Sequence, residues 1–168
     1  MDLVDKIERS RFLGREFLVW LWYESERLEG LLPLPNGEAC ELWLEEQLTL
    51  VAGGMEKAES KLKAGAPSAT PEAKEALRQG KLPTKAKMRI SRGTQSWSFL
   101  FDAETLGIGG VKVPAQITED TDEKFYERMQ LVEDLEAMIG GLYERFLSVR
   151  TGDAWVQESE AVRAWVRE

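Results

Sequence analysis

The sequence contains no histidine and only one cysteine, Cys40. Without histidine the chain has no Ser-His-Asp or Cys-His catalytic arrangement, and it lacks the commonest metal ligand. One cysteine cannot form an internal disulfide or a thiolate metal site, and it fits a reducing, cytoplasmic compartment. We therefore expect no enzyme, no cofactor and no structural metal. Chemistry that uses carboxylates alone, as in Mg²⁺-dependent or glycosidase sites, stays open because 30 acidic residues are present.

Phosphate-binding loops and long apolar runs are missing as well. There is no P-loop, and the glycines of Gly107–Gly110 lack the spacing of a dinucleotide-binding fingerprint. The longest apolar run, Phe17–Tyr23, has seven residues, whereas a membrane-spanning helix needs about 20. Met1–Lys6 is acidic and amphipathic, unlike a secretory signal. We expect a protein without membrane contact.

The composition that is present is that of one globular domain, residues 1–168. Apolar residues make up 43% and charged residues 31% of the chain, and the net charge is −8. The charge is unevenly distributed, since Met55–Arg92 carries ten basic and four acidic residues, a local balance of +6. A net-acidic protein binds polyanions poorly, but a segregated basic segment leaves a local exception open.

Hydrophobic periodicity predicts an α+β fold, with an antiparallel sheet of about five strands packed against an N-terminal helix and two C-terminal helices. In the first helix, Gly14 interrupts the apolar pattern at a modest cost. Leu48–Val51 is expected to return as a separate strand, and Val111–Pro114 to add a short edge strand. The predicted elements are a helix at 3–28, strands within 39–64, a short helix at 71–79, a hairpin at 85–101, and helices at 121–150 and 154–167.

The hairpin is the most informative segment. A two-residue turn with Gly93 first is a type II′ turn, and this turn fixes the register of the two strands. That register brings all the apolar side chains of the hairpin to one face. The predicted pairs are Ile90 with Trp97, Met88 with Phe99, and Ala86 with Phe101.

The other face of this sheet is predicted to be basic. Two explanations remain open: a solvated face that protects an edge, or a contact with phosphates. Because the hairpin aromatics point inward, we expect no aromatic on the basic face, and hence weak duplex-backbone binding to non-specific double-stranded DNA rather than stacking on single strands. The candidate nucleic-acid-binding residues are Lys61, Lys63, Lys85, Lys87 and Arg89.

The first helix carries more aromatic side chains than one face can bury, which also indicates packing on more than one side. We expect it to dock on a partner protein or on a second copy of the chain. For two of its charged residues, an intramolecular ion pair is the alternative. The candidate partner-binding residues are Phe12, Arg15, Glu16, Phe17, Trp20, Trp22 and Tyr23.

Other side chains receive simpler interpretations. Cys40 is expected to be a buried structural thiol. Trp43 points to the opposite face of its strand from Cys40 and Leu42, so we expect it to pack under a helix or in an interface. Gly140–Gly141 predicts a kink or a close helix crossing. The predicted core tryptophans are Trp97, Trp155 and Trp165. An apolar repeat at helical spacing runs along the first C-terminal helix and consists of Phe125, Met129, Val132, Ile139, Leu142, Phe146 and Val149.

The segment Phe12–Trp22 resembles a segment in the C-terminal half of RdgC-like recombination-associated proteins. Lys74–Lys81, the Ala86–Phe101 hairpin and Glu127–Leu135 are similar in the same order. The similarity covers most of this chain and the last part of a family member. It implies a nucleoid- or recombination-associated role, since such proteins form dimers that enclose double-stranded DNA in a basic ring.

Together the sequence predicts a non-enzymatic binding or assembly module that is DNA- or recombination-associated through its basic sheet face. The alternative is a protein–protein adaptor that docks through the aromatic first helix and has no nucleic-acid role.

Overall fold

The computed structural model describes residues 3–52, 59–62 and 71–168, with the side chains of 12–45, 49–50 and 72–168. It confirms the α+β class. Four helices are present in these ranges: α1 (Leu3–Arg27), α2 (Pro71–Arg78), α3 (Thr121–Arg150) and α4 (Trp155–Arg167). The strands are β1 (Leu31–Pro33), β2 (Ala39–Ala52), β3 (Glu59–Leu62), β4 (Lys81–Arg92), β5 (Gln95–Asp102) and β6 (Gly107–Lys112).

All the strand pairs of the sheet are antiparallel, and its order is β1-β2-β4-β5-β6, with β3 also paired to β2. The expectation of a separate return strand at Leu48–Val51 was wrong. These residues continue β2, which bends through two register shifts against β4, one between Leu44 and Leu48 and one between Thr49 and Leu50. Extra residues at a bulge let one long strand twist without ending. The predicted edge strand also lies earlier, at Gly107–Lys112 rather than Val111–Pro114.

The hairpin of β4 and β5 has the predicted register, with Ile90 opposite Trp97, Met88 opposite Phe99, and Ala86 opposite Phe101. Gly93 has a φ of 61°, as the first position of a type II′ turn requires. All six of these paired side chains are buried. Local turn chemistry and the alternation of apolar residues thus determine this part of the sheet.

The core lies between one face of the sheet and the helices, and α1 is enclosed on both sides. Phe17 of α1 contacts the Phe101 ring of the sheet at 5.8 Å between centroids and the Phe146 ring of α3 at 5.5 Å. Trp22 contacts Trp165 of α4 at 5.3 Å. The prediction that α1 packs on more than one side is confirmed.

The glycine at position 14 has a larger role than the sequence indicated. A Cβ atom at Gly14 would lie 2.8 Å from the carbonyl carbon of Ala103, and closer still to its oxygen. Such distances are far inside van der Waals contact. The modest cost that we assigned to Gly14 was therefore incomplete, since this residue lets α1 approach the backbone at the end of β5.

Candidate binding surfaces

Four of the residues that we expected to meet a partner lie in the core of the protein. Phe17, Trp20, Trp22 and Tyr23 are all buried. These aromatics do exceed what one face can bury, but the expectation that they meet a partner was wrong, because α1 has the sheet on one side and α3 and α4 on the other. These side chains are not accessible to a partner while the fold is intact.

The two charged candidates of α1 form intramolecular ion pairs, which was the alternative interpretation. An N–H of the Arg15 guanidinium donates to Glu104 Oε1 at 2.5 Å, and Arg150 Nε donates to Glu16 Oε2 at 2.7 Å. Of the partner-binding set, Phe12 alone is exposed, and the Arg150 guanidinium lies 6.0 Å from its ring centroid.

Two carboxylates of α1, those of Glu24 and Glu26, have structural partners in the helical layer. The carboxylate of Glu24 is fully buried and accepts hydrogen bonds from Arg27 Nε at 2.8 Å and from Arg145. The Glu26 carboxylate accepts the indole N–H of Trp22 at 3.0 Å and of Trp165 at 2.5 Å. These contacts fix α1 against α3 and α4.

Cys40 is a buried thiol, as expected. Burial raises its pKa to about 11, although the Arg145 charge opposes this shift. A thiol in this state is a poor nucleophile at neutral pH.

The basic hairpin residues lie on the sheet face opposite the core, which we call the open face. Ala86, Met88 and Ile90 alternate with them and are buried, so Lys85, Lys87 and Arg89 point away from the helices. In the β2–β3 ladder, Lys61 pairs with Thr49, which in turn pairs with Lys85, and this register places both lysine positions on one face. Lys63 lies outside the described residues.

The open face is less basic than the sequence predicted. Glu45 of β2 lies on it, 3.9 Å from Lys87 Nζ and 3.4 Å from Arg89 Nε. One carboxylate thus partly neutralises two of the three hairpin cations. Exposed ion pairs of this kind stabilise a fold little, but they lower the local positive potential.

The open face also carries an aromatic side chain, contrary to our expectation. Trp43 is the cross-strand neighbour of Arg89, and its indole N–H donates to Glu41 Oε1 at 2.8 Å. Its ring lies over Gly30, where a Cβ atom would come within 2.5 Å of the indole Cε2. Gly30 has a φ of 86°, so both its conformation and this contact favour glycine. Trp43 is therefore held in place on the open face.

A second surface, which the sequence analysis missed, lies at the N-terminal end of α3. We call residues 121–130 the α3 arm. Every arm residue except Glu127 is exposed, including the apolar ones. The exposed fractions are 61% for Phe125, 69% for Tyr126 and 45% for Met129, and Ile117 before the arm is 93% exposed. Phe125 and Met129 belong to the apolar repeat of this helix, and the structure places this end of the repeat at the surface.

The arm is held in a defined conformation by polar contacts. The Asp120 side chain caps the helix by accepting from the backbone N–H groups of Asp122 and Glu123, at 3.0 and 3.1 Å. The Glu127 carboxylate accepts from the backbone N–H groups of Ile117 and Thr118, at 2.7 and 3.2 Å. The preceding loop is thus fastened to the helix, and the apolar side chains are displayed on an ordered support.

From the arm, one stripe of α3 runs towards the start of β6. Spacings of four and three residues place its members on one side of a helix. It ends in a cleft of about 360 Å³ that α3 forms with Phe17, Phe101 and the residues Leu106, Gly107 and Ile108. We call the stripe and this cleft together the side groove. The stripe consists of Phe125, Met129, Val132, Glu136, Ile139 and Tyr143.

The surroundings of the side groove are strongly acidic. Residues 117–136 carry eight acidic and two basic side chains, a balance of −6. One of the acids, Glu136, lines the cleft itself. A cleft with apolar walls and a surrounding field of one sign attracts ligands of the opposite charge.

One signal in the sequence could have indicated this surface. The stripe through Phe125 and Met129 is a different helical face from the one through Leu131, Leu135 and Leu142, which is buried. Together the two stripes are wider than one contact with a sheet needs. The single apolar repeat read from the sequence combines members of both stripes.

Comparison with known proteins adds no relative: no family model, curated protein or solved structure matches this chain. Within the described ranges, no three Cys, Asp or Glu side chains converge as metal ligands would. None of the described helices combines the length and apolar character needed to span a bilayer.

Proposed function

We propose that this protein is a non-enzymatic assembly module that docks a partner protein through the side groove. The observation that carries the proposal is the exposed apolar end of α3. Contiguous exposed apolar side chains on a folded protein mark interaction sites, and aromatic residues supply most of the binding energy of interfaces.

The charge of this surface indicates the kind of partner. Two copies of the chain would bring together two regions, residues 117–136 of each, that have a net charge of −6. Like charges oppose association at an interface. A basic partner would instead be attracted over a distance of about 8 Å at physiological ionic strength. The proposed partner is therefore a different protein whose docking surface is apolar with a basic rim.

The test is a capture experiment with purified variants and an extract of the source cells. Phe125→Ser combined with Met129→Ser replaces the two arm residues that belong to the stripe, whereas Val156→Ser changes an exposed apolar residue on α4. Since these side chains are exposed, each variant should change the unfolding free energy by less than about 0.5 kcal/mol per site. We expect one protein to be retained by the wild type and the Val156 variant, lost with the arm variant, and weakened by salt.

Retention that is equal for the arm variant and the wild type would refute the proposal. Sedimentation of the pure protein provides the second measurement. A dimer that forms at micromolar concentration and disappears in the arm variant would show that the occupant is a second copy, against the charge argument.

Contact with nucleic acid through the open face is the second candidate. It is favoured by one row of paired residues across four strands, Trp43, Arg89, Ser98 and Lys112, which combines an aromatic ring with two cations. Such a combination suits single strands, whose bases stack on aromatic side chains, better than duplex DNA. A nucleoid- or recombination-associated role rests on the resemblance to RdgC-like proteins and on this row.

A salt titration with single-stranded and duplex oligonucleotides tests the second candidate. With Glu45 competing for two cations, we expect two or three phosphate contacts and a slope of log affinity against log salt of about −2 to −3 for duplex. Glu45→Gln should strengthen binding, and the triple change of Lys85, Lys87 and Arg89 to Glu should abolish it. Affinity that is unchanged in both variants would eliminate the open face as the site.

A further inference from the structure

The geometry points to a specific mode of docking, and this inference rests on the proposed function. We propose that the partner contributes an extended segment that adds to the sheet as a strand beside β6. One large apolar side chain of that segment enters the cleft of the side groove, and basic residues flank it. Strand addition at a sheet edge next to a helix gives affinity through main-chain hydrogen bonds and specificity through a side-chain pocket.

Strand β6 lies at an edge of the sheet. It pairs with β5 on one side, and within the described part of the chain no strand pairs with its other side. Its first half is rich in glycine, and a Cβ atom at Gly109 would meet nothing within 4 Å. Glycine in a strand often marks a place where another backbone approaches closely.

The regular part of β6 and the cleft lie at the same place. The register of β6 against β5 shifts between the Ser98–Lys112 pair and the Leu100–Gly109 pair, and Gly110 has a φ of 57°. This bulge bends the second half of the strand away from regular pairing. Gly107–Gly109 keeps regular pairing with β5, and Gly107 and Ile108 of this stretch also line the cleft.

The cleft has the size and chemistry to hold one apolar side chain. Its accessible walls are Leu106, Ile108, Ile139 and Tyr143. A volume of about 360 Å³ has room for a leucine or a phenylalanine. Glu136 at the cleft, together with the acidic region around it, favours lysine or arginine on either side of the inserted residue.

The experiment uses a synthetic nine-residue peptide, acetyl-Lys-Lys-Val-Thr-Leu-Thr-Val-Lys-Lys-amide, and the full chain labelled with ¹⁵N. We expect binding that shifts the amide resonances of Gly107, Ile108 and Gly109. Replacing the central leucine by aspartate, replacing the lysines by glutamates, or methylating alternate peptide nitrogens should each weaken binding by about tenfold or more.

Two variants at one position test the cleft without disturbing the fold. Gly140 lines the cleft, and a Cβ atom there would meet nothing within 4 Å, so neither alanine nor leucine clashes at its Cβ atom. Gly140→Leu fills the cleft and should reduce peptide affinity about tenfold, whereas Gly140→Ala should change it by less than about twofold. Glu136→Lys should weaken binding, and Glu160→Lys on α4 should not.

The possible results separate this inference from the proposed function. Equal affinity for Gly140→Leu and wild type, or no effect of nitrogen methylation, would overturn strand addition at β6, as would no shift of the β6 amides at millimolar peptide. The proposed function would still stand in those cases if the arm variant loses the captured partner. If the arm variant and Gly140→Leu both retain the captured partner, the strand-addition inference and the proposed function are both overturned.

Discussion

Replacing Gly14 by alanine should destabilise the protein, although alanine is the better helix former. In an open helix interior, glycine to alanine stabilises by up to about 1 kcal/mol. At position 14 the new methyl group would lie 2.8 Å from the Ala103 carbonyl carbon, closer to its oxygen, and 3.4 Å from Leu106 Cδ2. A backbone carbonyl cannot rotate away as a side chain can, and the Ala103 N–H is bonded to the Thr84 oxygen at 2.7 Å. Overpacking of this kind costs about 1–3 kcal/mol, occasionally more.

Gly14→Ala should lower the free energy of unfolding by about 2 kcal/mol in total. Two other helical glycines provide a graded control. A Cβ atom at Gly140 meets nothing, so Gly140→Ala should stabilise by about 0.5–1 kcal/mol. At Gly141 the nearest atom is Pro35 Cδ at 3.2 Å, and its variant should fall between the other two. Urea unfolding followed by tryptophan fluorescence gives all three midpoints. A Gly14→Ala midpoint at or above that of wild type would refute the close approach of α1 to β5.

Three further outcomes follow from the packing and the buried groups. Trp22→Ala should lower the unfolding free energy by about 3–5 kcal/mol in denaturation experiments, because the side chain lies in the core rather than in an interface. Glu24→Ala should cost about 3 kcal/mol or more, since it leaves Arg145 without its buried carboxylate, whereas Glu75→Ala in an exposed pair should cost less than about 1 kcal/mol. The Cys40 thiol should resist alkylation at pH 8 until the protein unfolds. Because its folded pKa is raised from 9.0 to about 11, the folded state keeps its proton longer, so the Cys40 contribution to stability should be lost between about pH 9 and 11, and the fall in stability over this range should be smaller in Cys40→Ala than in wild type.

The sequence alone predicts the structure correctly where interactions between residues close in the chain determine it. The turn at Gly93 and the alternation from Ala86 to Phe101 determine the hairpin, and both depend on neighbours within 16 residues. Periodicity also revealed that α1 is apolar on more than one side. It could not show which elements would cover each side, because that depends on contacts between residues more than 100 positions apart, such as Trp22 with Trp165.

The binding surfaces were harder to predict for the same reason. Strand alternation correctly placed Lys85, Lys87 and Arg89 on one face of β4. It also placed Trp43 and Glu45 on the face of β2 opposite Leu42. The sequence does not reveal that β2 and β4 are neighbours in the sheet, so the meeting of Glu45 with Arg89 was not foreseen. In α3, periodicity identified an apolar stripe, but it could not show where the underlying sheet ends.

The length of α3 explains why its first ten residues display apolar side chains. A helix of 30 residues is about 45 Å long. Its last firm contacts with the hairpin are the Trp97 indole bond to the Leu131 oxygen, at 2.8 Å, and the Arg92 pair with Asp134, at 3.5 Å. Beyond Leu131 about 15 Å of helix projects past these contacts. An isolated helix of this length is marginal in water, so the Asp120 cap and the Glu127 contacts replace the support that a core would give. An ordered arm loses less conformational entropy when it binds, and this preorganisation favours a docking role for the α3 arm over a purely structural one.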